Sequence, residues 1–478
     1  MKKKFLFLLV ICFVALKNFA QDSTAVTGTL TLKQCVDVAL KNNADVYRSE
    51  LQMENSKVNV MLAKGNMIPF ISGDINHGLS KGRSIDPFTN TYIDQNLTSA
   101  NYGLNASVYL WNGGSIQNNI RANSLNYEAS KMDWQQQKDN ITINVILAYL
   151  QVLNNEEQLN AARQQADVTR KQVERLEILF KDGAIAPATY YDTKGQLASD
   201  ELNVVSLKNA LETSKVSLVQ LMNVPYSADM QLQKINTETE LAVYEGNSQQ
   251  IYQQALANLA LIKAADLRKS SASKALKAAK GQLFPKLSLN GGLGTNYSNA
   301  ATISTITGTT NVRTENYVMV GNDKVPVYAP QNSYNTQKIS YGSQWKNNFN
   351  SSVSIGLRIP ILNGLQTRGT INKAKIEEQR VTLEAKTTKT QLQQSVEQAY
   401  VNMNTAFERY QTLAEQVKDF AESFRSAEVR FNAGAITSVD YLIAKNNYDR
   451  SNINLIAAKY DYILRTKILD FYQGQLSF

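Results

Sequence analysis

Asn101-Tyr102-Gly103-Leu104-Asn105-Ala106-Ser107-Val108-Tyr109-Leu110-Trp111 is the stretch on which the fold turns. In an extended chain Tyr102, Leu104, Ala106, Val108 and Leu110 point one way, and Asn101, Gly103, Asn105 and Ser107 the other. Far downstream, Val353, Ile355, Leu357, Ile359 and Ile361 alternate in the same phase with Ser352, Ser354, Gly356 and Arg358. Roughly ten residues of period-two alternation with a polar second face is what a tilted transmembrane β-strand requires. An antiparallel sheet on a soluble core alternates identically, so the surrounding sequence has to decide.

What surrounds these strands is too long to be a compact domain. From Ser115 to Lys181 there is no proline and no glycine, and Gln, Glu, Lys, Ala and Leu dominate. As one helix this reaches about 100 Å. Ile141, Val145, Ala148, Val152 and Leu159 mark an apolar stripe, continued by Val173, Leu176 and Phe180. So long a helix has to pack sideways against other helices.

The chain also repeats itself. Ala39-Leu40-Lys41-Asn42-Asn43 returns as Ala255-Leu256-Ala257-Asn258-Leu259, and the same offset carries Ala63-Lys64-Gly65 onto Ala279-Lys280-Gly281 and Pro69 onto Pro285. A second, larger offset carries Asn112-Gly113 onto Asn363-Gly364, Ala148-Tyr149 onto Ala399-Tyr400, Phe180 onto Phe431, and Gly183-Ala184-Ile185 onto Gly434-Ala435-Ile436. Two ordered registers of this kind indicate an internal duplication. The change of offset marks an insertion between Pro285 and Asn363, within the Thr/Ser/Asn/Tyr-rich stretch from about 295 to 348. Inside it Tyr317-Val318-Met319-Val320, Gly321-Asn322-Asp323 and Val325-Pro326-Val327 read as a small hairpin, and the whole reads as an enlarged external loop.

Each half therefore reads as helix, strand, loop, strand, very long helix, short turn, helix. The first repeat covers residues 21–222, a connector 223–247, and the second repeat 248–478. The opening helix is expected from Thr31, as N-cap, to Lys64. Pro69 and Pro285 then turn helix into strand, because proline biases its predecessor towards extended backbone. First-half strands are expected near 68–77 and 101–111. Two strands per half give four per chain, too few to close a barrel, and lipid tolerates no open sheet edge. Two copies would make a barrel filled by its own side chains. Three leave an open lumen, so a homotrimer is the smallest assembly that makes a conduit.

Residues 1–20 read as a secretory signal: Lys2, Lys3 and Lys4, an apolar run from Phe5 to Leu16, and a small residue at Ala20. Cys12 sits inside the apolar run behind a bulky Ile11, which argues against a lipoprotein site. Without this segment Lys2, Lys3, Lys4 and Lys17 are lost with no acid, and the formal charge falls from +9 to +5. That excess is weak on so long a chain and gives no reason to expect nucleic acid. Cys35 alone remains, so no internal disulfide can form. No later segment is apolar for long enough to make a transmembrane helix.

At this point the chain resembles the TolC-like outer-membrane factor family over almost all of its length beyond residue 20. The resemblance is carried by Leu30-Thr31-Leu32 through Asn43, Pro69 and Pro285, Trp111-Asn112-Gly113-Gly114 with Leu362-Asn363-Gly364, and the turns Phe180-Lys181-Asp182-Gly183-Ala184-Ile185 and Phe431-Asn432-Ala433-Gly434-Ala435-Ile436. It implies a mixed α+β membrane protein, with long antiparallel helices forming an α-helical barrel and four strands per chain entering a shared 12-stranded trimeric β-barrel. It implies location in the outer membrane of a Gram-negative-type cell, in contact with outer-membrane lipid and with a large periplasmic portion. The implied function is a passive channel for efflux or type I secretion, served by a periplasmic adaptor (membrane fusion protein) and an inner-membrane transporter.

In such a family the two turns close the periplasmic end and meet the adaptor. This gives roles to Phe180, Gly183, Ala184 and Ile185, and to Phe431, Gly434, Ala435 and Ile436. Asp440 matches an aspartate that follows the turn in many members. Where the family often has a second acid, Ile443 stands here, and the first-repeat equivalent of Ile443 is Asp192. Asp440 and Asp192 are thus the expected constriction acids. The competing reading, a non-pore periplasmic coiled-coil adaptor, should lack the full-length duplication and the barrel-phase strands.

Catalytic equipment is not legible. His77 is the one histidine, so a triad, a zinc site or a histidine base would rest on a single residue. Gly291-Gly292-Leu293-Gly294 lies in a strand with no helix opening after it, unlike a phosphate loop. Neither an enzyme nor a cofactor or metal site is expected.

Overall fold

A computed structural model of the protein describes residues 28–85, 90–94, 96–235 and 241–475. The expected leader at 1–20 lies outside the described residues. Residues 58–124 and 271–378 form one compact unit, and the remaining described residues form another. The helices are α1 (Leu32–Asn42), α2 (Ala44–Gly65), α3 (Ser115–Lys181), α4 (Pro187–Met222), α5 (Ser248–Asn258), α6 (Ala260–Gly281), α7 (Tyr341–Asn347), α8 (Gln366–Asn432) and α9 (Ser438–Gln473). The strands are β1 (Thr29–Leu30), β2 (Phe70–Ser80), β3 (Arg83–Ile85), β4 (Tyr92–Asp94), β5 (Leu97–Trp111), β6 (Gln231–Leu232), β7 (Lys286–Ser298), β8 (Thr302–Val320), β9 (Asp323–Lys338) and β10 (Asn350–Arg358).

Helix lengths recur between the halves: α1 to α4 have 11, 22, 67 and 36 residues, and so do α5, α6, α8 and α9. Both opening helices carry a capping box, Thr31 with Gln34 and Asn247 with Gln250. The single helix expected from Thr31 to Lys64 is broken at Asn43, which is extended (ψ 125°). Its side-chain oxygen accepts from the Asp45 N–H at 2.9 Å, starting the next helix as the first one ends. Leu259 makes a break of the same kind between α5 and α6, without a capping side chain. What both breaks share is docking on a neighbouring helix end: Asn43 Nδ2 donates to the Leu221 carbonyl and Asn258 Nδ2 to that of Gln473.

In the helical unit the apolar stripe of α3 is buried as its spacing requires: Ile141, Val145, Val152, Leu159, Val173 and Leu176 are all inside. Val145, Ile146, Tyr149 and Leu150 pack with Cys35 and Val36 of α1, Leu218 and Met222 of α4, and Ile463 of α9. Tyr149 keeps its hydroxyl satisfied by donating to the carbonyls of Leu30 and Gln233. The connector is less featureless than its sequence: β6 pairs in parallel with β1, and Asn223 closes α4 in the left-handed region. Cys35 is fully buried, and burial pushes its thiol up to about 12.

In the other unit β10, β7, β5 and β2 form one antiparallel sheet in that order. The first-half strands lie within two to four residues of expectation, β2 starting after Pro69 and β5 extending back to Leu97. The downstream strand stops at Arg358, before Pro360, so Ile359 and Ile361 are not part of it. The expected small hairpin at Gly321 is the tip of a much longer ribbon, in which β8 pairs with β9 from Thr302 to Lys338. The junction after β5 needs glycine twice over. Gly113 has φ +67°, and a Cβ there would lie 2.3 Å from the Gly281 carbonyl oxygen.

Two outcomes follow from this packing. Gly113→Ala should cost about 2–4 kcal/mol through clash and strain together, whereas Gly114→Ala, with φ +73° but only an ordinary contact to Asn118 Nδ2 at 3.5 Å, should cost about 1 kcal/mol. Urea unfolding of the two variants checks the ranking. Cys35 should resist a maleimide in the folded protein and react once the helices are unfolded.

Candidate functional site

The sheet sorts its residues by face. Ile71, Ile75 and Leu79 of β2 share a face with Tyr102, Leu104, Ala106 and Val108 of β5, Leu289 and Leu293 of β7, and Val353, Ile355 and Leu357 of β10. The opposite face carries Ser72, Asp74 and Asn76, then Asn101, Asn105 and Ser107, then Ser288 and Asn290, then Ser352, Ser354 and Arg358. On the polar face Asn105 donates to the Asp74 carboxylate at 3.0 Å. The apolar face is uncovered: Val353 is 81% exposed, Ile75 76% and Ile355 69%. Burying each such side chain is worth about 1.5–3 kcal/mol, so a sheet left this way in water forgoes much of its stabilisation. Its outer strands, β2 and β10, each have one unpaired edge among the described residues. His77 lies on β2 in line with Ile75 and Leu79. Among the described residues no group of three or more His, Cys, Asp or Glu could hold a metal ion, and no helix is long and apolar enough to cross a membrane.

In the helical unit the two turns are built alike. The Ala184 N–H reaches the Leu179 carbonyl at 2.8 Å and the Gly183 N–H that of Phe180 at 3.0 Å; Ala435 to Arg430 and Gly434 to Phe431 repeat both distances. These are Schellman closures, with Gly183 and Gly434 at φ +69° and +70°. Behind each turn a phenylalanine stacks on a tyrosine of the returning helix, Phe180 on Tyr190 at 5.1 Å and Phe431 on Tyr441 at 4.7 Å. Ile185 and Phe431 both pack on the cluster of Val173, Leu176 and Tyr190, while Ala184 and Ala435 are exposed and Ile436 is half-buried. Tyr190 and Tyr441 were legible in the second offset, which carries one onto the other, but the sequence reading passed over them.

Asp440 and Asp192 meet at the start of α9. Asp440 is the third residue of a capping box with Thr437, whose hydroxyl donates to it at 2.7 Å. Asp192 accepts from the Ser438 hydroxyl at 3.1 Å. Both carboxylates are exposed and complement the positive end of that helix. The staggered acids of the two repeats are thus brought together, and both also have a local structural task. Pro69 and Pro285 occupy their expected junctions, each just before its strand.

A buried ionic cluster was missed altogether. Lys445 is 1% exposed and bonds Asp200 at 3.0 Å and, on its own helix, Asp449. Thr169 of α3 donates to the same Asp200 at 2.5 Å. In sequence Lys445 looks like one more solvated lysine, and only tertiary packing reveals it. Burial pushes the Asp449 carboxyl up, with Lys445 pulling it down less strongly.

Paired long helices, capped turns and a lipid-suited sheet define a membrane export channel. The chain belongs to the outer membrane efflux protein family, whose model matches residues 35–224 and 251–474. It is similar to the outer membrane efflux protein BepC of Brucella suis, at 21% identity over 94% of this chain and 87% of that one. It is also similar to the outer membrane protein TolC of Vibrio cholerae, at 22% identity over 95% and 94%. Among solved structures, the Campylobacter jejuni CmeC outer membrane channel superposes with a TM-score of 0.74 at 17% identity, covering 96% of this chain and 90% of that one. The open-state MtrE channel of Neisseria gonorrhoeae gives 0.69 at 17%, covering 95% and 94%. The protein is a passive outer-membrane efflux channel and not an enzyme, and the adaptor alternative is set aside.

The ionic cluster yields a prediction. Lys445→Ala leaves two half-buried carboxylates without their shared cation and should cost about 3 kcal/mol. An acid raised in the folded state binds its proton more tightly folded than unfolded. Asp449 should therefore make stability fall as pH rises from the ordinary aspartate range through its raised value. Urea midpoints across that window should be flatter in Asp449→Asn than in the wild type.

Proposed function

We propose that three copies of this chain close a 12-stranded barrel in the outer membrane, their helices forming a periplasmic α-helical barrel, and that each chain arose by internal duplication. The observation that carries this is the four-stranded sheet, with its uncovered apolar face and its unpaired edges on β2 and β10. Pairing β10 of one copy with β2 of the next removes every edge, and lipid covers the apolar face. The polar Ser/Asn face then lines the lumen. The duplication is supported by the recurring helix lengths and by the identical closures at Gly183 and Gly434.

The turns around Gly183 and Gly434 are the periplasmic end. Phe180, Ala184, Ile185, Phe431, Ala435 and Ile436 form the docking surface for a periplasmic adaptor, which joins the duct to an inner-membrane transporter. The energy for export comes from that transporter. Asp192 and Asp440 ring the constriction, three of each per assembly, and give it a preference for cations.

Reconstitution tests the assembly: the purified protein should run as a trimer in native mass spectrometry and give discrete conductance steps in planar bilayers. A non-conducting monomer would overturn it. The constriction is tested separately by Asp192→Asn with Asp440→Asn. Asparagine keeps a side-chain oxygen to accept from the Thr437 and Ser438 hydroxyls, so the variant removes charge and keeps those bonds. Its reversal potential in a KCl gradient should move towards non-selectivity, and an unchanged value would leave both residues only their local hydrogen bonds at the start of α9.

A further inference from the structure

One feature of the sheet is unfavourable where it stands. Arg358, the last residue of β10, is directly paired with Lys286, the first residue of β7. Both fall on the polar face, in line with Ser288 and Asn290 on β7 and Ser354 and Gly356 on β10. Like charges directly opposite one another weaken a strand pair. Neither cation has a carboxylate within ion-pair distance among the described residues, and Asp74, the acid on that face of the four strands, is eight β7 residues further along the sheet. The sequence around them strengthens the field. Residues 271–286 add Lys274, Lys277 and Lys280, and residues 360–376 add Arg368, Lys373 and Lys375, with no acid in either run.

The pair also borders open space. A cavity of about 890 Å³ is lined on the polar face by Lys286, Arg358, Ser288, Asn290, Ser107 and Tyr109, with Phe70 on the same face and Ile68 and Pro69 at its apolar side. A second, of about 560 Å³, takes Lys286 and Arg358 with Asn363 and Gln366 from the start of α8. Both cations are thus presented to solvent-filled volume alongside hydroxyl and amide donors. A guanidinium and an ammonium side by side, with neutral donors around them, suit an oxyanion.

We propose that Lys286 and Arg358 form an anion-binding site on the lumenal face of the sheet, which takes the carboxylate, sulfate or phosphate groups of solutes passing through the duct. The site rests on the reading of the polar face as lumen. Three copies place six cations around one passage at the helix-side end of the barrel, where a charged, low-dielectric wall concentrates counter-ions. Cation-preferring acids at the turns and an anion site at the sheet are then separate elements of one conduit.

The test uses the full chain in bilayers of zwitterionic phosphatidylcholine, so that no anionic headgroup competes, with inorganic tripolyphosphate as probe on either side. Wild-type conductance should be blocked, and the block should weaken as ionic strength rises. Lys286→Gln with Arg358→Gln should raise the half-blocking concentration at least about tenfold. The charge-keeping exchange Lys286→Arg with Arg358→Lys should leave it nearly unchanged. If the double Gln variant fails to assemble, Arg358→Gln alone, at an exposed edge position, carries the comparison with an intermediate shift. Equal block in wild type and Gln variants, or no block at all in a conducting wild type, overturns the anion site and leaves the channel intact. A wild type that does not conduct overturns the lumenal reading and this site with it.

Discussion

Everything in this chain answers to an unfinished sheet. Four strands present a row of free N–H and C=O groups at each outer edge and an apolar face that the chain leaves bare. In water such a sheet invites aggregation, and in lipid it is untenable unless its edges are closed. The Ser, Asn and Gly of the other face make sense only if water lies on that side. Neither property is decided by a single residue. They follow from period-two alternation held in register across β2, β5, β7 and β10, where a slip of one residue would invert both faces.

The helices pose a second demand of the same kind. Two helices of 67 residues cannot bury themselves on a small core, and α8 keeps Ile376, Leu383 and Val401 exposed. α3 is much better covered than α8, the helix of equal length in the second half, since its middle carries the Val145 to Leu153 block against α1, α4 and α9. The two halves therefore share helix lengths but not burial. Apolar positions left open on α8 are where further helices, in the proposed assembly those of another copy, have surface to cover.

Much of this was readable from sequence because it depends on local or periodic signals. Ser115 and Lys181 bound α3 as read, since nothing inside breaks the helix and a glycine turn follows it. The turns at Gly183 and Gly434 were legible because a left-handed closure needs glycine. The break at Asn43 was not, because Leu259 makes the same break without a capping side chain; docking on a distant helix end decides both. The Lys445 cluster was hidden for a similar reason: its partners Asp200 and Thr169 are remote in sequence, and no periodicity marks a lysine that turns inward. The ribbon of β8 and β9 exceeded expectation because only its tip has strong hairpin chemistry, while its Thr/Ser/Asn arms resemble loop.

The distribution of strength along the chain is itself an argument about gating. The sheet is joined by long ladders, interrupted between β5 and β7 by one shift at Tyr109–Trp111, and its junction at Gly113 and Gly281 leaves no room for a Cβ, so the sheet is fixed. The turns are held by surface hydrogen bonds, stacked rings and exposed carboxylates, contacts of modest net worth that water can replace. The Lys445 cluster ties α3, α4 and α9 together, and a buried charge network tolerates few alternative packings. In the proposed assembly, a duct whose turns open while its sheet stays sealed in lipid needs this difference in strength: movable contacts at the turns, a specific clasp among the helices, and a closed sheet. Motion of the turns would then leave the proposed barrel undisturbed, and a partner transporter of the kind proposed would have only these weak contacts to work against.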